Sequence, residues 1–226
     1  MSLRRKALSD EDLYPADDGV PMDDDKHRRN ANLLCDTLEK HLHERGVAAW
    51  ASSNSFIYYE YGSPRKNVGP DFYVVVGASE NPQRDCWRVW NEDYKLPQVI
   101  VEFVSKHSGH KDRVKNFKIY RDILKTPEYF IFDTRRGRAS LEGWTLRGGE
   151  YVPLLPDAQG RLACDALGLR IGLQDGIVRW FDEHGALPTD AERATEKSRM
   201  AAEEARLRAE AEAEVARLRR LLEAKG

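Results

Sequence analysis

Two short runs place the tightest limits on what this chain can become. Asp71-Phe72-Tyr73-Val74-Val75-Val76 and Gln98-Val99-Ile100-Val101-Glu102-Phe103-Val104 are almost continuously apolar, the pattern of strands covered on both faces. Each run carries one acid, and a carboxylate in apolar surroundings is costly unless a cation or metal offsets its charge. If the two runs are neighbouring strands, Asp71 and Glu102 converge on one point, and two hard oxygen donors there suit Mg²⁺ or Mn²⁺. The residues also allow a plainer reading, in which Asp71 is a strand-initiating acid after Pro70 and Glu102 a half-exposed residue on an edge strand.

The segments around these runs fix the fold class. Val114, Phe117, Tyr120, Ile123 and Leu124 recur at helical spacing between Asp112 and Leu124, and Pro127 stops that helix. Glu128 to Asp133 then returns to the sheet. Strand, polar turn, helix and strand form a right-handed crossover, so the core is α/β, a mixed sheet flanked by helices. Upstream, Asp23-Asp24-Asp25 suits a helix N-terminus. The stripe Ala31, Leu34, Leu38 and Leu42 then predicts a helix to about Arg45, with Gly46 as its C-cap. Val47 to Trp50 and Ser55 to Tyr61 read as strands, the latter closed by Gly62-Ser63-Pro64. Downstream, Leu141 to Leu146, Tyr151 to Leu155, Leu162 to Ala163 and Leu169 to Ile171 read as an antiparallel meander extending the domain.

From Thr189 the composition turns to Ala, Glu and Arg, with Leu207, Val215, Leu218 and Leu222 at three- and four-residue steps. That predicts an extended C-terminal helix outside the core, a coiled-coil partner and a dimerisation arm for a homo-oligomer. The expected organisation is an N-terminal arm over 1–22, a catalytic-type domain over 23–188 and the charged helix over 189–226.

Charge and composition narrow the partners. The chain of 226 residues has 36 basic against 38 acidic side chains, a net charge of −2. It therefore has no global attraction for nucleic acid, and any DNA contact must be local. No apolar run reaches the length of a membrane span, and the first 25 residues are charged and Pro-interrupted instead of resembling a signal peptide, so a cytoplasmic location is expected. Cys35, Cys86 and Cys164 are widely spaced and form no CxxC pair, which predicts reduced, ordinary residues and no zinc site.

Several stretches together carry a family resemblance. They are Asp25 through Arg45, Tyr58-Tyr59-Glu60-Tyr61-Gly62-Ser63-Pro64-Arg65, Gly69-Pro70-Asp71-Phe72-Tyr73-Val74-Val75, Pro97-Gln98-Val99-Ile100-Val101-Glu102-Phe103-Val104-Ser105, and Tyr120 with Pro127-Glu128-Tyr129-Phe130. In that order they resemble the Uma-type restriction endonucleases of the PD-(D/E)XK superfamily, over roughly residues 23 to 180. The resemblance implies a restriction-endonuclease-like fold, Mg²⁺ (or Mn²⁺) as cofactor, DNA as substrate and hydrolysis of its phosphodiester bonds. Asp71 and Glu102 are then the metal-binding catalytic acids. Val104 stands where the superfamily's lysine would be, and the Uma-type proteins draw that lysine from the following helix, four residues before the helix tyrosine.

Counting back from Tyr120 reaches Asn116, which is neutral. Lys115 and Lys118 flank it and are the candidates for the catalytic cation, Lys115 being favoured because it follows Asp112 by one turn. By the same resemblance Ser105 is the strand-end serine that orients Glu102 or a metal-bound water, and His27 matches a recurrent position on the first helix. His107 and His110 lie in the loop after the Glu102 strand, where sites often gather. Arg65 and Lys66 with Tyr58, Tyr59 and Tyr61 form a basic-aromatic cluster of the kind that holds a phosphate backbone. Asn116 and the net acidity also keep a second reading open: a catalytically impaired nuclease-fold module that binds or assembles through its C-terminal helix.

Overall fold

A computed structural model describes residues 13–16, 25–79, 81, 83–104, 115–134 and 139–224. Two compact units divide the chain, Met1–Leu187 and Pro188–Gly226.

The first long element is helix α1 (Asp25–Glu44). Asp25 in its first turn pairs with Arg28 and Arg29, a carboxylate at the positive end of the dipole. At the other end Gly46 takes φ 67°. Its N–H bonds His43 O at 2.9 Å, and that of Val47 bonds Leu42 O at 2.9 Å. These two bonds satisfy carbonyls the helix would leave open and require a residue that tolerates a left-handed backbone.

Strands β1 (Ala49–Ser53), β2 (Ile57–Tyr58), β3 (Asn67–Val68), β4 (Phe72–Val76), β5 (Trp87–Arg88), β6 (Val99–Val104), β7 (Glu128–Asp133), β8 (Ser140–Arg147) and β9 (Glu150–Pro153) follow. Six of them form the main sheet in the order β1-β4-β6-β7-β8-β9. Within it only β6 and β7 run parallel, joined through the segment that carries the 115–124 helix. The fold is mixed α/β, as the crossover reading requires.

Alternation sorts the central strands onto two faces. Val99, Val101 and Phe103 of β6 join Phe72, Val74, Phe130 and Phe132 in a core with Leu34 and Leu38 of α1. Ile100 and Val104 join Tyr73, Val75, Tyr129 and Ile131 in a second core, closed by Tyr120 and Leu124. Both faces are therefore buried, which explains why β4 and β6 read as continuous apolar runs.

The remaining strands form two small sheets. The segment read as one strand from Ser55 to Tyr61 pairs only at β2, in the order β3-β2-β5. Its flanks are engaged elsewhere: Phe56 N–H bonds Ala16 O at 2.9 Å, and Ser55 Oγ lies 2.9 Å from the Tyr73 hydroxyl. Residues 13–16 dock on this sheet, with the Tyr14 ring 5.1 Å from Tyr58 and 5.0 Å from Trp90. The expected downstream meander divides. β8 and β9 extend the main sheet, whereas β10 (Leu162–Cys164), β11 (Leu169–Gln174) and an unanticipated β12 (Ile177–Phe181) form a sheet of their own. Its inner residues Leu162, Cys164, Ile171, Val178 and Trp180 share the core beneath α1. Asn30 Oδ1 accepts from Val178 N–H at 3.1 Å, and Trp180 Nε1–H donates to Leu34 O at 3.2 Å.

The second unit is helix α2 (Asp190–Glu223), opened by a capping box in which Thr189 and Glu192 satisfy each other's backbone N–H. Among the described residues no helix is long and apolar enough to cross a membrane.

Candidate active site

Antiparallel pairing of β4 with β6 sets Phe72 opposite Val101. One step further along that register, Asp71 faces Glu102. β6 is flanked by β4 and β7 inside the sheet, so Glu102 sits on an interior strand and not at an edge. The two acids share the face that carries Tyr73, Ile100 and Val104, beneath the helix bearing Tyr120.

Hydrogen bonds from backbone N–H groups and from Tyr120 hold the pair. Phe103 N–H donates to Asp71 Oδ2 at 2.6 Å, Asp71 N–H reaches Glu102 Oε2 at 3.4 Å, and the Tyr120 hydroxyl donates to Glu102 Oε1 at 2.6 Å. Burial, and after it the charge of Asp71, push the Glu102 carboxyl well above the usual carboxylate range, while the Tyr120 hydrogen bond opposes that rise. Tyr120 is itself held in its neutral, donating form by burial and by the charge of Glu102.

Tyr120 reaches this position from an irregular helix. Residues 115–118 are α-helical, and Ile119–Ile123 widen into a π-helical turn in which Leu124 N–H bonds Ile119 O at 2.9 Å. Such turns rotate the following side chains relative to a regular helix and are frequent at functional sites. The helical spacing in the sequence marks Tyr120 as a core residue; the need of Glu102 for a donor is the signal that its hydroxyl does more.

The other candidates are distributed around this centre. Asn116, one turn before Tyr120, is half-buried, whereas Lys115 and Lys118 are exposed. The charge of Lys118 acts on Asp122, on the outer side of the helix. His27 is buried, with Nε2 3.5 Å from Thr134 Oγ1 and its ring 5.8 Å from that of Phe103. Phe103 points to the face packed by α1, so His27 lies across the sheet from Glu102. Arg65 and Lys66 are exposed in the turn between β2 and β3, but Tyr58 is buried and its hydroxyl donates to Pro15 O at 2.7 Å. Ser105, His107, His110 and Asp112 lie outside the described residues. The cysteines Cys35, Cys86 and Cys164 are free and buried.

The donor set fits a hard divalent cation. Asp71 and Glu102 offer carboxylate oxygens whose mutual repulsion a cation would relieve, and Mg²⁺ is commonly held by one or two carboxylates with water and substrate phosphate completing its shell. Among the described residues no cluster of three or more His, Cys, Asp or Glu side chains gathers to hold a metal ion.

The comparisons with known proteins bear on the same segments. The proline–tRNA ligase of Gloeothece citriformis is 25% identical over 116 residues, which are 50% of this chain and 18% of that protein. The chain thus spans only a small part of the length of that curated relative. The crystal structure of a "putative nuclease belonging to DUF820" from Anabaena variabilis is similar with a TM-score of 0.45 and 15% identity, covering 62% of this chain and 73% of that one. The Uma2 family, described as "Putative restriction endonuclease", matches residues 5–177. That match includes β1 to β11 and both acids, and on it this chain belongs to the Uma2 restriction-endonuclease family.

Proposed function

We propose that the chain is a divalent-metal-dependent endonuclease that hydrolyses DNA phosphodiester bonds at Asp71 and Glu102. The observation that carries the reading is the pairing of two carboxylates across interior strands, one of them well above its ordinary protonation range. Half-buried carboxylates set against each other are unfavourable without a cation, and such pairs concentrate where chemistry needs them.

In this reading Asp71 and Glu102 hold Mg²⁺ or Mn²⁺. When bound, the cation supplies Lewis-acid polarisation of a phosphate and lowers the pKa of its water. Phe103 N–H fixes one oxygen of Asp71, while Tyr120 and Asp71 N–H hold the two oxygens of Glu102, partners of the kind that orient metal ligands. The buried apolar residues around the pair limit water access and strengthen its electrostatics. Lys115, on the helix above, is the residue to supply positive charge to the phosphate, since Lys118 acts on Asp122 on the outer side.

Plasmid DNA incubated with the protein and Mg²⁺ or Mn²⁺ tests this reading. Cleavage that is lost in Asp71→Ala and Glu102→Gln supports it; absence of both cleavage and calorimetric Mn²⁺ binding overturns it. The half-buried Asn116 and the exposure of both flanking lysines favour one alternative, a nuclease fold that retains metal but does not cut. Mn²⁺ binding without cleavage is its signature.

A further inference from the structure

The C-terminal helix carries a periodic pattern that its own unit does not use. Met200, Leu207, Val215, Leu218 and Leu222 are all exposed, between 48% and 73%. They repeat at eleven-residue steps: Met200, Ala211 and Leu222 form one column, Leu207 and Leu218 a second, and Glu204 and Val215 a third. Eleven residues make three turns at 3.67 residues per turn, so these columns stay on one side of a nearly straight helix and favour a slight right-handed supercoil.

The charges obey the same repeat. On one flank of the stripe stand Glu192, Glu203 and Glu214, and on the other Lys197, Arg208 and Arg219, again eleven apart. One border is therefore acidic and the other basic. Within the helix Glu203 pairs with Arg206, Arg208 with Glu212 and Glu214 with Arg217. These are exposed pairs, individually weak and readily exchanged. Glu192 is engaged in the capping box, so the repeat that matters is that of Glu203 and Glu214.

We propose that α2 pairs with the α2 of a second copy of this chain as a parallel, in-register two-stranded coil. Charge complementarity selects both partner and direction. Rotating a copy by half a turn about a shared parallel axis brings its basic border against the acidic one. Glu203 then meets Arg208 of the second copy and Glu214 meets Arg219, each five residues ahead, the spacing of interhelical pairs in parallel coils. An antiparallel copy sets acid against acid and base against base. Arg193, Glu196 and Glu204 are the polar positions of the stripe, all in its first half, and they lower the stability of the pairing there. By connectivity alone, parallel pairing attaches both Met1–Leu187 units at the same end of the coil. The inference does not depend on the reading of Asp71 and Glu102.

Sedimentation of the full chain in the tens of micromolar range tests the pairing, and dimers of twice the 25.9 kDa chain mass are expected. The double variant Arg208→Glu with Arg219→Glu turns four attractions into four repulsions and weakens association by about a hundredfold. Mixing it with Glu203→Arg, Glu214→Arg protein restores a heterodimer. Direction is read from Leu222→Cys, which forms a disulfide-linked dimer under mild oxidant if the coil is parallel. A monomeric wild-type chain, an unaffected double variant, or disulfides that form only when Met200→Cys and Leu222→Cys proteins are mixed would each overturn the proposal.

Discussion

The Tyr120 hydroxyl donates a 2.6 Å hydrogen bond to Glu102 Oε1, tying a π-helical turn on one side of the sheet to an acid on an interior strand. The bond opposes both the burial of Glu102 and the charge of Asp71. It is the contact through which the helix holds that carboxylate and moderates the rise that burial and Asp71 impose.

Tyr120→Phe removes this donor while keeping the ring, which lies 5.3 Å from Tyr129. Leaving the Glu102 carboxyl without this donor costs on the order of 1–3 kcal/mol. If the pair holds metal, losing its orienting partner lowers Mn²⁺ affinity by roughly ten- to a hundredfold. Calorimetric titration of wild type and variant decides it, and unchanged affinity would assign Tyr120 to packing alone.

The raised Glu102 pKa has a definite sign in stability. Between the ordinary value of 4.5 and the higher folded value, the folded state binds more protons than the unfolded one, so stability falls as pH rises through that window. Its contribution is fully present below the unfolded pKa and is lost above the folded pKa. Urea unfolding in chelator from pH 4.5 upward is expected to show this decline, with a shallower slope in Glu102→Gln. Glu128, also raised by burial, adds a slope of the same sign that the substitution leaves in place. Identical slopes in the two proteins would remove Glu102 as its source.

Asn30 joins α1 to β12 by accepting from the buried Val178 N–H while its Nδ2 donates to Lys26 O at 2.7 Å. Asn30→Ala leaves that N–H without this acceptor, at a cost of about 1–3 kcal/mol. The denaturation midpoint measures it; Asn30→Asp, which keeps an acceptor oxygen, is expected to lose less at neutral pH.

Gly143 on β8 lies under the ring of Phe130. A Cβ there would come within 2.6 Å of Phe130 Cδ1 and 2.9 Å of Leu162 Cδ1. Gly143→Ala therefore overpacks the join between β8 and β10 and is expected to destabilise by about 1–3 kcal/mol. A midpoint equal to wild type would show that the Phe130 ring can yield.

The placement of the candidate pair was legible because burial leaves a mark on local sequence. An acid inside each of two apolar runs marked Asp71 and Glu102 as candidates before any neighbour was known, and β4 and β6 do pair. Other features left no such mark. Ser55 to Tyr61 has strand composition throughout, yet only Ile57 and Tyr58 find a partner strand, because Phe56 and Ser55 bond to residues distant in the chain. β12 lacks an alternating pattern, since its last four residues are all buried. Its place under α1 depends on Asn30 and Leu34, nearly 150 residues earlier.

Taken alone, the sequence determined which segments must be covered on both faces, the bounds of α1, and the apolar stripe of α2, since periodicity and capping are properties of neighbouring residues. Tertiary structure decided that Asp71 and Glu102 oppose each other across β4 and β6, that a π turn brings the Tyr120 hydroxyl to Glu102, and that His27 falls on the far face. Those outcomes depend on strand register and on the rotation of one helix over the sheet, and both are set by packing between segments that no local pattern encodes.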